Sequence, residues 1–214
     1  MLKQGTEELL QKYSFSKAAI AASETPLRES IIYLTEAFRT GGQLLICGNG
    51  GSCADADHIV GELVKAFRIE RPLEPSFLKN LQSQGEHGEL LAQRLQGGLP
   101  AINLGAHSAL MTAMINDVGG EYIYAQQVAA YGKAGDILVG ISTSGNSVDI
   151  LLAGRVAKAK GMRTLGLTGR NGGQMKDLFD TVICAPADST EEVQDLHSKI
   201  YHALCACVEY ELWG

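Results

Sequence analysis

Five short apolar runs punctuate the chain, at Gln43–Cys47, Pro100–Leu104, Asp136–Ile141, Arg163–Leu167 and Thr181–Ala185. Each is apolar with little alternation, the pattern of a strand covered on both faces and hence of a parallel sheet. Around them, apolar positions recur at helical spacing. That pattern predicts helices over Glu7–Ala22, Pro26–Thr40, Ala54–Phe67, Ala109–Asp117, Glu121–Tyr131, Val148–Ala159 and Glu191–Trp213. Regular alternation of strand and helix predicts a doubly wound α/β fold, a five-stranded parallel sheet flanked by helices. Extra N-terminal helices within 1–40 and a long C-terminal helix are added to it. In such sheets ligands bind beyond the carboxyl ends of the strands, where strand order reverses.

Residues 71–99 break the alternation. Arg71-Pro72-Leu73-Glu74-Pro75 ends the preceding helix, Glu86–Gln96 suits a helix, and Gly97-Gly98-Leu99-Pro100 leads back to a strand. A connection of this length inside one domain is usually functional or mobile.

Composition narrows the function classes. A length of 214 residues with 45% hydrophobic positions fits one packed domain spanning 1–214. A net charge of −6 with no basic run argues against nucleic acid as a partner. No apolar stretch reaches the roughly 18–20 residues of a membrane span, and the first eight residues carry charge instead of a signal-peptide core. Five cysteines form no regular framework, as expected of buried reduced thiols in a cytoplasmic protein. Cys205-Ala206-Cys207 has the wrong spacing for a zinc knuckle.

Two turns carry candidate chemistry. Ser142-Thr143-Ser144-Gly145-Asn146-Ser147 packs four hydroxyls around a glycine between a strand and a helix. Backbone N–H groups, the helix dipole and hydroxyl donors together suit a phosphate monoester. Hydrogen bonds to a charged acceptor contribute roughly 1.5–3 kcal/mol each, against about 0.3–1 for the dipole, so the hydroxyls matter most. A plain Ser/Thr turn with an N-cap is the simpler account of such a loop alone. The first strand ends in Cys47-Gly48-Asn49-Gly50-Gly51-Ser52, where Ser52 suits an N-cap and the glycines admit a ligand close to the backbone. Gly48-x-Gly50-x-x-Cys53 only nearly matches the dinucleotide fingerprint. Two such turns suit a phosphorylated sugar, one gripping phosphate and the other hydroxyls.

His58 and Glu62 share one face of the next helix, a spacing that serves metal ligands, an acid/base pair or a plain surface pair. On the last helix Gln194 and His202 are nearly aligned, whereas His197 is out of register with His202. A satisfied core or interface histidine is the simpler reading of His202. Asn116-Asp117 suits a helix end, and Thr168–Gly173 a turn after the fourth strand.

Taken jointly, the Cys47–Ser52 loop, His58, Glu62, Ser142–Ser147, Gln194 and His202 resemble the sugar isomerase (SIS) domain, and within it the phosphoheptose isomerases. The resemblance covers nearly the whole chain except residues 71–98, which stand as an insertion relative to the usual family length. It implies isomerisation of sedoheptulose 7-phosphate to D-glycero-D-manno-heptose 7-phosphate, a step toward lipopolysaccharide heptose, through a cis-enediol. It also implies a homotetramer with active sites between subunits. Asn49, Gly50, Gly51, Ser52, Asn116, Asp117, Ser142, Thr143, Ser144, Ser147 and Gln194 are the implied substrate contacts. His58, Glu62, Gln194 and His202 are the implied zinc ligands, with Glu62 as base and His202 as acid. Cys53 and Gly61 depart from the family pattern, which often has a histidine and a second acid there. Asn116-Asp117 and Tyr124–Val128 also resemble non-catalytic SIS proteins that bind DnaA and regulate replication. Those proteins lack an acid at the position of Glu62, so Glu62 favours the enzyme. An isomerase of another phosphosugar is the third reading.

Overall fold

Five parallel strands form one sheet: β1 (Leu44–Gly48), β2 (Ala101–Asn103), β3 (Ile137–Ser142), β4 (Arg163–Thr168) and β5 (Thr181–Cys184), in the order β2-β1-β3-β4-β5. The computed structural model describes residues 1–14 and 23–214. The strands are apolar on both faces because both faces are covered. Leu44 and Ile46 of β1 enter one core, while Leu45 and Cys47 enter the other. The first core is roofed by α1 (Gln4–Ser14), α2 (Glu24–Arg39), α3 (Gly51–Val64) and α10 (Thr190–Trp213). The second is roofed by α6 (Ser108–Asp117), α7 (Ile123–Tyr131), α8 (Val148–Ala159) and α9 (Met175–Leu178). The doubly wound α/β architecture follows from the alternation.

Local differences have local causes. The expected helix Glu7–Ala22 is seen as α1 up to Ser14, and its residues 15–22 lie outside the described residues. Helix α3 begins three residues before the expected Ala54, because Gly50 at φ 56° and ψ −121° turns the chain into the helix at once. Ser52 is therefore buried inside the first turn, and the N-cap position expected for it belongs to Gly50. The expected helix Glu121–Tyr131 divides into a 3₁₀ turn at Gly120–Tyr122 followed by α7.

The 71–98 segment holds two helices, α4 (Pro75–Gln82) and α5 (Glu86–Arg94). Only the second was expected. Pro75 reads as a helix breaker, yet it occupies the first turn of α4, where a missing N–H costs nothing, and Glu74 caps the helix by accepting from Phe77 N–H. No residue of α4 is buried.

This segment is anchored by a fully buried ion pair. Arg71 Nε donates to Glu209 Oε1 at 2.8 Å, and both side chains are without exposure. The guanidinium also donates to the carbonyls of Glu62 and Leu63 at the end of α3. Glu209 accepts from the N–H groups of Phe67, Arg68 and Ile69. Removing one member leaves the other charge buried and unpaired, a loss of about 3–5 kcal/mol. Glu209→Ala is expected to lower the free energy of unfolding in urea by that amount. The double variant Arg71→Met/Glu209→Leu is expected to recover most of it.

Candidate active site

The chain runs from β1 to one edge of the sheet and from β3 to the other, so the carboxyl ends of β1 and β3 flank the switch point. The two turns singled out in the sequence meet there. Asn49 Nδ2 donates to the Asp149 carboxylate at 3.1 and 2.9 Å, tying the first turn to the first helical turn of α8. The Tyr124 hydroxyl lies 2.6 Å from Gly48 O and 3.2 Å from Asn49 Oδ1. The Asn49 side chain thus joins the two loops, while the exposed backbone of Gly50 and Gly51 faces outward. A Cβ on Gly51 would lie 2.4 Å from Gln194 Nε2, so glycine is what allows α10 to close over this turn.

The hydroxyl turn is a cluster. Ser142 Oγ lies 2.8 Å from Ser147 Oγ and 3.4 Å from Ser144 Oγ, and Asn146 N–H donates to Ser144 Oγ at 3.1 Å. Ser147 occupies the N-cap position of α8 without making a side-chain cap, which leaves its hydroxyl to the cluster. The Thr168–Gly173 turn buttresses it: Gly169 N–H donates to Thr143 O, and Gln174 N–H to Asn146 Oδ1. Between the turns lies a cavity of about 250 Å³, lined by Thr143, Ser144, Asn146, Arg170 and Asn171 among others.

Helices α3 and α10 run side by side in the same direction, with Gln194 against Gly51 and residues 201–202 against His58. His58 is the centre of the cluster. Its Nε2 lies 3.3 Å from Glu62 Oε1 and 3.3 Å from His202 Nε2, and its Nδ1 lies 3.1 Å from the Tyr201 hydroxyl. Phe67 stacks on the His202 ring at 5.9 Å between centroids. Burial and the neighbouring His58 hold His202 below the ordinary histidine range. Glu62 Oε2 is buried without a hydrogen-bond partner, with Lys65 Nζ 3.6 Å away.

His58, Glu62 and His202 carry donor atoms of the kind zinc takes. Two donors on one tetrahedral zinc lie about 3.3–3.4 Å apart, the separation at which His58 stands from each of its two neighbours. The other Glu62 oxygen, Oε2, is the buried one left unsatisfied, and a proton or a cation would satisfy it. Glu62 and His202 each face His58 without pairing to each other, and among the described residues no three such side chains close round one point. Gln194 stands toward the Gly51 end of the helix pair. Asn116 and Asp117 lie exposed at the end of α6 and are hydrogen-bonded to each other. No hydrogen bond among the described residues links them to either turn.

Comparison with known proteins is consistent along the whole chain. SIS-domain models match residues 13–97 and 91–208. A phosphoheptose isomerase of Helicobacter pylori (strain P12) is 37% identical over 203 residues, 95% of this chain and 93% of the relative. One from Roseiflexus sp. (strain RS-1) is 41% identical over 180 residues, 84% and 79% of the two chains. Among solved structures, phosphoheptose isomerase from Neisseria gonorrhoeae superposes with a TM-score of 0.72 at 29% identity, covering 95% of this chain and 98% of that one. The chain belongs to the phosphoheptose isomerase family.

Some of the residues that hold these candidate groups carry no sequence signature. Asp149 and Tyr201 belong to no motif, and their partners Asn49 and His58 lie 100 and 143 residues away. A buried tyrosine hydroxyl needs a partner, which is the one signal that could have marked Tyr124 and Tyr201. His197, out of register with the cluster, is fully buried, with Nε2 3.2 Å from Thr168 O. Burial holds it below its ordinary value, so the unfolded chain takes up the proton first. Stability is expected to fall as pH drops below about 6.5. His197→Asn should flatten that slope, as read from thermal midpoints between neutral and mildly acidic buffer.

Proposed function

We propose that this protein interconverts sedoheptulose 7-phosphate and D-glycero-D-manno-heptose 7-phosphate, an aldose–ketose isomerisation within one substrate. The observation that carries this reading is the half-buried acid Glu62, set with His202 on either side of His58, on the helix that starts at the Gly50-Gly51 turn. Proton transfer between adjacent carbons needs a base close to carbon and an acid close to oxygen, both fixed relative to the phosphate.

In this mechanism the substrate phosphate accepts hydrogen bonds from Ser142, Thr143, Ser144 and Ser147 and from backbone N–H groups at the start of α8. The Gly50-Gly51 backbone lies beside the sugar hydroxyls. Glu62 takes the proton from the carbon next to the carbonyl, leaving a cis-enediol, and returns it to the neighbouring carbon. His202, whose charged form burial disfavours, passes protons at the oxygens and assists ring opening. A zinc ion held by His58, Glu62, Gln194 and His202 would polarise the sugar oxygens.

A homotetramer in the cytoplasm, with sites shared between subunits, completes the reading. Asn116 and Asp117 stand apart from the turns, beside the exposed apolar side chains of Ile115, Val118 and Tyr122. A neighbouring copy would cover that apolar surface and bring such residues to a site. No helix among the described residues is long and apolar enough to cross a membrane.

The deciding experiment incubates purified protein with sedoheptulose 7-phosphate and follows aldoheptose phosphate by NMR, with and without added zinc. Turnover is expected, and its absence in both conditions would overturn the proposal. Glu62→Gln should lower kcat by about 10²–10⁴-fold with KM little changed. Light scattering of the same sample should give four times the chain mass.

A further inference from the structure

We infer that Arg170 is a further substrate-binding residue, a guanidinium that gives the hydroxyl turn the positive charge it lacks and takes hold of the sugar's phosphate group. Ser142–Ser147 offers hydroxyls and backbone N–H groups but no cation. Of the side chains lining the cavity beside Thr143 and Ser144, Arg170 and Asp188 alone are charged. Asp149, the acid at the head of α8, is engaged by Asn49. An anion entering the cavity therefore finds its counter-charge on Arg170.

The backbone sets the residue in place. Gly169 N–H donates to Thr143 O at 2.9 Å, and Arg170 N–H donates to Ala187 O at 3.1 Å. In the side chain, Nε donates to the Asp188 carboxylate at 3.2 and 3.0 Å, and Nη2 donates to Pro186 O at 2.7 Å. Nη1 makes no hydrogen bond among the described residues, so its protons remain for a ligand. The ion pair with Asp188 is exposed, at 52% and 68%, and a pair of that kind contributes little by itself. Hydrogen bonds from a guanidinium to phosphate are charge-assisted and roughly twice as strong as neutral ones, so this group matters more to a bound anion than to the fold.

That the anion is a sugar phosphate rests on the isomerase reading above; the test with inorganic phosphate does not. Calorimetric titration of the whole protein with inorganic phosphate in low-salt buffer is expected to show binding, weakened about 10–100-fold in Arg170→Met with an unchanged circular dichroism spectrum. Arg170→Lys, which keeps the charge and loses the planar fork, should lose less. Asp188→Asn separates binding from support: it breaks the ion pair, and phosphate should bind it at least as well as wild type. Lys176→Met probes the neighbouring cavity that Arg170 also lines, and should leave binding unchanged. Equal affinity in wild type and Arg170→Met, no binding to wild type, or a loss in Asp188→Asn or Lys176→Met matching that in Arg170→Met would overturn the inference. With sedoheptulose 7-phosphate, Arg170→Met should raise KM by the same factor and leave kcat little changed. If wild type binds phosphate through Arg170 yet turns over no sugar, the isomerase reading fails and this inference stands.

Discussion

The Arg71–Glu209 pair is the joint on which the catalytic side of the molecule depends. Two charges taken out of water are costly, and the cost is offset only when every donor and acceptor is used. Here the guanidinium gives two further donors to the last carbonyls of α3, where a cation also complements the helix dipole. The carboxylate collects three consecutive N–H groups just beyond that helix. One of the carbonyls is that of Glu62 itself. The backbone of the acid, the entry to the 71–98 segment and the C-terminal helix are therefore fixed by one interaction. Trp213 closes it from outside, its ring 4.9 Å from the Arg71 guanidinium.

From that joint the site divides into two kinds of part. The turns after β1 and β3 are built of backbone, glycine and hydroxyls, which suit an anion and tolerate no bulk. The Gly145 position, at φ 66°, leaves only 2.1 Å between an added Cβ and the carbonyl of Gly172. The helices contribute the titratable groups, set at fixed height by the parallel packing of α3 on α10. Asn49 spans the two turns without a charge of its own, and its bond to Asp149 engages a carboxylate that would otherwise oppose a phosphate at the head of α8.

Much of this was legible in the sequence. Continuous apolar runs gave the parallel sheet because Leu44–Gly48 and its neighbours are covered on both faces. The spacing of His58 and Glu62 placed them on one helical face, and glycine and serine content marked both turns. What escaped depends on contacts distant along the chain. Ser52 looks like a cap until Gly50 is seen to start the helix earlier. Pro75 looks like a breaker until Glu74 is seen to cap the helix it begins. Arg71 and Glu209, 138 residues apart, carry no motif, and their burial is decided by packing alone. His202 was ambiguous between a core histidine and a functional one because helical periodicity says nothing about which neighbour a side chain faces.

The contact between His58 and His202 joins positions 144 residues apart. Any proton or ion shared by the two rings is in effect a clasp on that loop, and the unfolded chain must surrender the loop's freedom to form it. Such separation raises contact order, so this corner of the protein is expected among the last to assemble. A ligand bound there draws on the folded state alone, and its concentration becomes a control on how firmly the C-terminal helix stays docked.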